Sequence, residues 1–203
     1  MLYSIGYGNR SILYFEELLR NYSISCLVDV RSWPDSSFNK QFCKSFLSKR
    51  LRSIGVDYIY MGEILGGDEA LKAVNGGYSL FSNYYLAGRD LRIVRALRKI
   101  VSLSLDRNVV IMCSEKDPLK CHRFCFVSYL VYELFSGKEI LHILDMTEVY
   151  KTSELLSSIV RHEKFIGRNF MRKLVFQRLR LLYSVESHNA GRDGKEVIHN
   201  RFL

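Results

Sequence analysis

Short β-rich runs alternate with longer helical runs along the first three-quarters of the sequence. The predicted strands are Leu2–Ile5, Ser25–Val30, Asp57–Tyr60, Val109–Met112 and Glu139–Leu144. Between these runs, apolar residues recur at the spacing of amphipathic helices. Such alternation favours right-handed crossovers, a mostly parallel sheet and helices on both of its faces. The sequence therefore predicts an α/β fold with a mainly parallel sheet of about five strands, in a Rossmann-like three-layer arrangement.

The last quarter of the chain has a different pattern. From Thr147 onward no further strand is predicted, and Glu148–Val160 and His162–Tyr183 have helical periodicity. The final residues are polar and contain two glycines, which is typical of a loose terminus. We therefore predict an α/β domain over residues 1–146, a basic helical extension packed on it over 147–185, and a loose tail over 186–203.

Charge is distributed unevenly between these regions. The chain has 203 residues, of which 48% are apolar and 25% charged, so disordered and low-complexity classes are excluded. The net charge of +9 indicates an anionic partner, either a small molecule or nucleic acid. Residues 151–203 contain 11 Lys and Arg against 5 Asp and Glu. Most of the basic excess therefore lies outside the predicted α/β domain.

Cysteine content and hydropathy predict the compartment. The five cysteines are scattered, and no secretory leader is recognisable at the amino terminus. We therefore expect free thiols and a cytoplasmic protein. No apolar run approaches the roughly 18–20 residues that span a bilayer, so no membrane association is expected. The sequence leaves the oligomeric state open.

The loop after the fourth predicted strand carries the sharpest cluster of reactive side chains. Cys113 follows that strand directly, and Cys121-His122-Arg123 opens the next helix. The positive end of a helix favours anions and thiolates, and Glu115 supplies a carboxyl group for proton transfer. The predicted catalytic residues are Cys113, Glu115, Cys121 and His122.

The same cysteines also fit less reactive roles. Cys113 is compatible with a buried core thiol at the end of its strand. A zinc site would use Cys113, Cys121, His122 and Cys125, but their spacing lacks the paired Cys-x-x-Cys arrangement of structural zinc sites. We therefore expect no metal and no cofactor.

A second cluster follows the second predicted strand. Asp29 interrupts a buried strand, where a carboxylate needs a partner, and Arg31 lies at the end of the strand that faces the expected ligand crevice. A structural ion pair involving Asp29 is the alternative. Together with neighbouring turns, the predicted anion-binding residues are Arg31, Lys116, Arg123, Arg10, Gly6 and Asp29.

The basic extension carries a separate hypothesis. Basic residues interleaved with aromatic ones suit phosphate backbones and base stacking. The same pattern also fits a core stripe with a solvated face. The candidate nucleic-acid contacts are Arg161, Lys164, Arg168 and Arg172.

Five motifs in order resemble the DUF488 family, small proteins of unknown function in bacteria and archaea. They are Ile5-Gly6-Tyr7-Gly8-Asn9-Arg10, Val28-Asp29-Val30-Arg31-Ser32 with Pro34, Leu65-Gly66-Gly67, Met112–Pro118 with Cys121-His122-Arg123, and His142-Ile143. The resemblance covers about residues 1–145 and implies an α/β fold without naming a reaction. The family usually has Gly-His-Ser where this chain has Gly6-Tyr7-Gly8. Rhodanese-like sulfurtransferases and cysteine phosphatases are a more distant likeness, since their closely spaced Cys and Arg are not reproduced.

The motifs and the resemblance together give two hypotheses for function. The first is a DUF488-like enzyme or ligand-binding domain for a phosphate-bearing, nucleotide or nucleic-acid-like substrate, with a Cys/Glu/Arg pocket at the carboxyl ends of the strands. The second is a non-enzymatic nucleic-acid-binding or adaptor module that uses the basic C-terminal helices.

Overall fold

A six-stranded sheet forms the centre of the computed structural model, which describes residues 1–35, 39–68 and 90–161. Residues 160 and 161 are described by their backbone alone. The strands are β1 (Leu2–Gly6), β2 (Cys26–Asp29), β3 (Asp57–Tyr60), β4 (Val109–Cys113), β5 (Leu141–Ile143) and β6 (Val149–Lys151). Their spatial order is β3-β2-β4-β1-β5-β6. The first five pair in parallel, and β6 pairs antiparallel with β5. The predicted mostly parallel α/β fold is confirmed.

Helices connect and flank these strands. They are α1 (Ile12–Asn21), α2 (Lys44–Ser53), α3 (Gly62–Leu65), α4 (Leu91–Asp106), α5 (Tyr129–Leu134) and α6 (Thr152–Arg161). Single 3₁₀ turns span Lys40–Phe42 and Pro118–Lys120, and a π-helical stretch over Arg123–Ser128 leads into α5. The described helices include none that is both long and apolar enough to cross a bilayer.

Two apolar layers lie on opposite faces of the sheet. β4 is buried along its whole length, so its side chains alternate between the two layers. Val109 and Ile111 belong to a cluster with Leu97 of α4, whereas Val110 and Met112 belong to a cluster with Phe15 of α1. This alternation explains why the strand reads as a continuous apolar run, as a parallel strand covered on both faces does.

The helix predicted from Glu148 begins later than expected. Residues Val149–Lys151 form β6, and the helix starts at Thr152. The hydroxyl of Thr152 is buried and donates to the carbonyl of Ile140, which ties this point of the chain to the sheet. The carboxylate of Glu154 accepts from the backbone N–H of Lys151, a capping contact that marks the start of the helix. The sequence prediction was wrong there because Val149 and Tyr150 fit either element.

The carboxyl end of β1 packs tightly against the loop after β4. Tyr7 and Gly8 donate backbone hydrogen bonds to the carbonyls of Cys113 and Ser114, at 3.2 and 2.7 Å. A Cβ on Gly6 would lie 1.7 Å from the carbonyl oxygen of Glu115. Only glycine permits this approach without moving the backbone. The β4 loop, which carries the reactive residues, is thereby fixed to the centre of the sheet.

Candidate active site

A cavity of about 190 Å³ opens at the carboxyl ends of β2 and β4. It is lined by all four predicted catalytic residues and by one predicted anion-binding residue. These are Cys113, Glu115, Cys121, His122 and Arg31. In the described part of the chain, the other predicted anion-binding residues are not among its lining residues. The parallel sheet explains the convergence, because the loops after neighbouring strands meet at one edge.

Two thiols and an imidazole form the deepest part of the site. The sulfur atoms of Cys113 and Cys121 and a ring nitrogen of His122 lie within 4.8 Å of one another, and all three residues are buried. The Nε2 atom of His122 lies 2.9 Å from the carbonyl oxygen of Val30. Because a carbonyl only accepts, Nε2 carries a hydrogen, and Nδ1 faces the Cys113 sulfur at 3.7 Å. The imidazole is thus held with one nitrogen directed at the thiols.

One of the two thiols favours the charged form. Burial works against the Cys121 thiolate, but the hydrogen bond from Cys113 and the charges of Arg123 and His122 outweigh it and hold the pKa of Cys121 well below its ordinary value. Burial also opposes the charged form of His122, yet the adjacent Cys121 sulfur raises the pKa of that imidazole. Both shifts favour a thiolate on Cys121 beside a protonated His122.

Cys113 acts as a donor to this thiolate. The hydrogen bond to Cys121 and burial raise the pKa of Cys113 well above its ordinary value. Its sulfur also lies 3.4 Å from Oε2 of Glu115, and its single hydrogen serves one acceptor at a time. Both effects favour the neutral form of Cys113.

Glu115 is the titratable acid of the cavity. Burial and the negative charge of the neighbouring Cys121 raise its pKa to about 7. Such a carboxyl group is divided between its protonated and charged forms near neutral pH. That is the property required of a general acid and base.

Arg31 is committed to an ion pair as well as to the cavity. Its Nε and Nη2 donate to the two carboxylate oxygens of Asp29 at 2.9 and 2.6 Å, and Tyr58 donates to the same carboxylate at 2.6 Å. Burial opposes the guanidinium charge, but Asp29 more than compensates and raises the pKa of Arg31. The structural ion pair anticipated from the sequence is present. Anion binding by Arg31 and Asp29 remains a prediction.

Arg123 anchors the loop after β4 by hydrogen bonds to its backbone. Its Nη1 and Nη2 donate to the carbonyls of Glu115 and Lys116 at 2.5 and 2.9 Å, and its side chain is buried. Its charge favours the Cys121 thiolate. These contacts give Arg123 a positioning and electrostatic role.

The remaining predicted anion ligands have other surroundings. Arg10 donates to the carbonyls of Gly6 and Leu144 and is buried, whereas Lys116 is exposed. The nucleic-acid candidates Lys164, Arg168 and Arg172 lie outside the described residues, as does the side chain of Arg161. Their proposed contacts remain predictions.

The cluster also matches the donor set of a metal site. Cys113, Cys121 and His122 offer two sulfurs and one nitrogen at mutual distances that a single ion could bridge. The contact of His122 with Val30 resembles the carbonyl support that metal-binding histidines commonly have. Cys125, the fourth residue of the zinc set considered from the sequence, is not part of this group. The expectation of no metal remains a prediction.

Several residues of the site were not among the predicted site residues. The carbonyl of Val30 orients the histidine, and the cavity is also lined by Ser32, Trp33, Gly67, Asp68, Ser114 and Lys120. Trp33 had a signal, since it follows Arg31 in a loop after a strand. No sequence signal could have indicated the role of Val30, because its contact is made by a backbone carbonyl, which every residue has.

Fold and site together define a mostly parallel α/β protein with two buried cysteines, a buried histidine and a half-buried glutamate lining one cavity at the carboxyl ends of its strands. A family model described as "Domain of unknown function DUF488" matches residues 11–130. This match covers more than half of the chain, which therefore belongs to the DUF488 family, as its motifs predicted. No curated protein and no solved structure gave a significant match. Because the family is defined without a function, membership specifies neither a reaction nor a substrate.

Proposed function

We propose that this protein is a thiol-dependent enzyme that transfers a phosphoryl group from an anionic substrate to Cys121 and then to water. The observation that carries the proposal is that Cys121, His122 and Glu115 line one cavity, with the Cys121 sulfur within 4.8 Å of a ring nitrogen of His122. A thiolate beside an imidazolium is the activated state of a cysteine nucleophile.

Each step assigns a role to a residue. In the first step the Cys121 sulfur bonds to phosphorus while the bond from phosphorus to the leaving oxygen breaks. The carboxyl proton of Glu115 goes to that oxygen. In the second step the Glu115 carboxylate takes a proton from water, whose oxygen displaces the sulfur and restores the thiolate. His122 balances negative charge, and Cys113 positions the sulfur by its hydrogen bond.

Positive charge around the cavity supports an anionic substrate. Lys120 is a lining residue of the cavity, its side chain is 69% exposed, and its ion pair with Asp117 is long, at 3.9 Å. Such an exposed pair is weak, so the ammonium is free to turn toward a ligand.

Hydrolysis of p-nitrophenyl phosphate by the full chain tests the proposal. The matched variants are Cys121→Ser and Cys43→Ser, since Cys43 is a half-buried thiol that does not line the cavity. We expect release of p-nitrophenol by the wild type and Cys43→Ser, and about a hundredfold slower release by Cys121→Ser. Equal rates for Cys121→Ser and the wild type would overturn the proposal.

Metal analysis of the same preparations provides the second arm. We expect wild-type activity to persist after chelation, with p-nitrophenol release needing no bound zinc. If the chain instead carries one zinc ion that Cys121→Ser loses, and if activity depends on that zinc, then the thiols are ligands and the nucleophilic role fails.

A further inference from the structure

Trp33 is one of the residues that line the cavity, and it is 79% exposed to solvent. Tryptophan is on average among the well-buried residues of proteins, because its large apolar surface is costly to leave in water. An indole that is both solvent-exposed and adjacent to reactive groups points to a ligand.

The loop around Trp33 is fixed by hydrogen bonds. The hydroxyl of Tyr60 donates to the carbonyl of Ser32 at 3.2 Å, and the backbone N–H of Asp68 donates to the hydroxyl of Ser32 at 3.0 Å. On the other side, the backbone N–H of Lys44 donates to the carbonyl of Pro34 at 3.1 Å. The indole is therefore presented to solvent from an anchored backbone, which lowers the entropic cost of binding a ligand.

The size of the cavity limits what it encloses. Its volume of about 190 Å³ is below the roughly 300–1,000 Å³ of pockets that bury a whole drug-sized ligand. A phosphate fits such a space, whereas a nucleoside attached to it extends to the rim. Trp33 lines the cavity and is exposed to solvent, so it is available to contact such a nucleoside.

We propose that Trp33 stacks on the planar base of a nucleotide whose phosphate enters the cavity beside Cys121 and Lys120. Indole faces stack on nucleobases of every type, so Trp33 selects for a planar ring and tolerates base identity. The proposal rests on the proposed function, because it takes the cavity as the site of the phosphate. It adds the substrate class, a nucleoside phosphate.

Intrinsic fluorescence provides a direct measurement, since Trp33 is the single tryptophan of the 203 residues. The full-length Cys121→Ser variant is titrated with adenosine monophosphate and, separately, with ribose 5-phosphate, which lacks the base. We expect saturable quenching by the nucleotide and about tenfold weaker binding of the sugar phosphate. Equal affinity for the two ligands, or no spectral change with the nucleotide, would overturn the proposal.

Calorimetric titration of Trp33→Ala and Trp33→Phe, made in the same Cys121→Ser chain, provides the variant test. We expect Trp33→Ala to bind adenosine monophosphate about tenfold more weakly, Trp33→Phe to recover most of the affinity, and ribose 5-phosphate binding to be unchanged. Phe46→Ala is the matched control, because Phe46 is also an exposed aromatic residue, at 47%, and does not line the cavity. If Trp33→Ala binds the nucleotide normally, or loses both ligands equally, stacking is refuted.

The two proposals fail in different experiments. Nucleotide binding that depends on Trp33, together with phosphatase activity that survives Cys121→Ser, would reject the nucleophile and retain the stacking role. Loss of activity in Cys121→Ser without any effect of Trp33→Ala on nucleotide binding would retain the nucleophile and reject the stacking role.

Discussion

The Nδ1 atom of His122 lies 3.7 Å from the sulfur of Cys113, while Nε2 donates to the backbone carbonyl of Val30, the residue that follows β2. This arrangement directs one ring nitrogen at a pair of buried thiols. It also keeps the imidazole from rotating away, since rotation would break the hydrogen bond to Val30. The charge on this ring therefore acts on the thiols from a fixed position.

His122→Ala is predicted to make Cys121 less reactive at neutral pH. Loss of the imidazolium removes one of the groups that favour the thiolate, so the pKa of Cys121 rises. We expect the pH midpoint of Cys121 alkylation by iodoacetamide to increase, as measured by mass spectrometry of the labelled peptide. Labelling of Cys43 serves as the internal control. An unchanged midpoint for Cys121 would show that His122 does not support the thiolate.

Glu115 is predicted to give the site a charge switch near neutral pH. Its pKa of about 7 means that the carboxyl group is neutral below pH 7 and negative above it. Iodoacetate is anionic and iodoacetamide is neutral, so only the former is repelled by the carboxylate. We expect the rate of Cys121 alkylation by iodoacetate, divided by the rate for iodoacetamide, to fall about fivefold as pH rises through 7. This factor corresponds to roughly 1 kcal/mol of repulsion.

Glu115→Gln is the matched variant for this pH dependence. The amide keeps the shape of the side chain and lacks the titrating proton, so the ratio of rates is expected to stay constant between pH 6 and 8. A wild-type ratio that does not change with pH, or a decrease that persists in Glu115→Gln, would assign the charge switch to another group.

Sequence reasoning succeeded where the signal is local. The continuous apolar run Val109–Met112 predicted the central strand, because a parallel strand buried on both faces needs no polar alternation. The cysteine loop after it followed from chain order, since a loop that succeeds a central strand lies at the ligand edge. Cys113, Glu115, Cys121 and His122 were predicted together for that reason; they line one cavity, and their catalytic roles remain predictions.

The sequence could not predict which of several distant partners a long side chain contacts. Arg123 has the reach to face the cavity or to turn back on its own loop, and it donates to the carbonyls of Glu115 and Lys116. That choice depends on the close approach of Gly6 to the loop, a contact between distant segments of the chain. The strand Val149–Lys151 was missed for a similar reason, since its pairing with β5 is not encoded in its own residues.

Gly6→Ala is predicted to disturb both stability and the site. The added Cβ would lie 1.7 Å from the carbonyl oxygen and 2.5 Å from the carbonyl carbon of Glu115, and this backbone cannot yield as a flexible side chain would. We expect the free energy of unfolding to fall by about 3 kcal/mol in urea denaturation, with slower alkylation of Cys121. Gly55→Ala is the control for backbone strain alone.

Gly55 has a φ of +77° and nothing within 4 Å of an added Cβ. Gly55→Ala is therefore expected to lower the free energy of unfolding by about 1 kcal/mol, because alanine must adopt the left-handed conformation. Alkylation of Cys121 is expected to stay unchanged. If the two alanine variants were equally stable, the contact between β1 and the β4 loop would not be the reason for glycine at position 6.

Asp29→Asn is predicted to be the most destabilising change in the ion-pair cluster. Asp29 is fully buried and accepts hydrogen bonds from Arg31 and Tyr58, and Arg31 is only 3% exposed. Removing the carboxylate charge leaves a buried guanidinium without its counter-charge, at a cost of about 3–5 kcal/mol in the free energy of unfolding. Tyr58→Phe removes one hydrogen bond to the same carboxylate and is expected to cost about 2 kcal/mol.

The double variant Asp29→Asn/Arg31→Met eliminates both charges, so it should recover part of the loss seen in Asp29→Asn. Urea denaturation of the four proteins measures these differences, and a double variant less stable than Asp29→Asn alone would contradict the burial of an uncompensated charge as the cause.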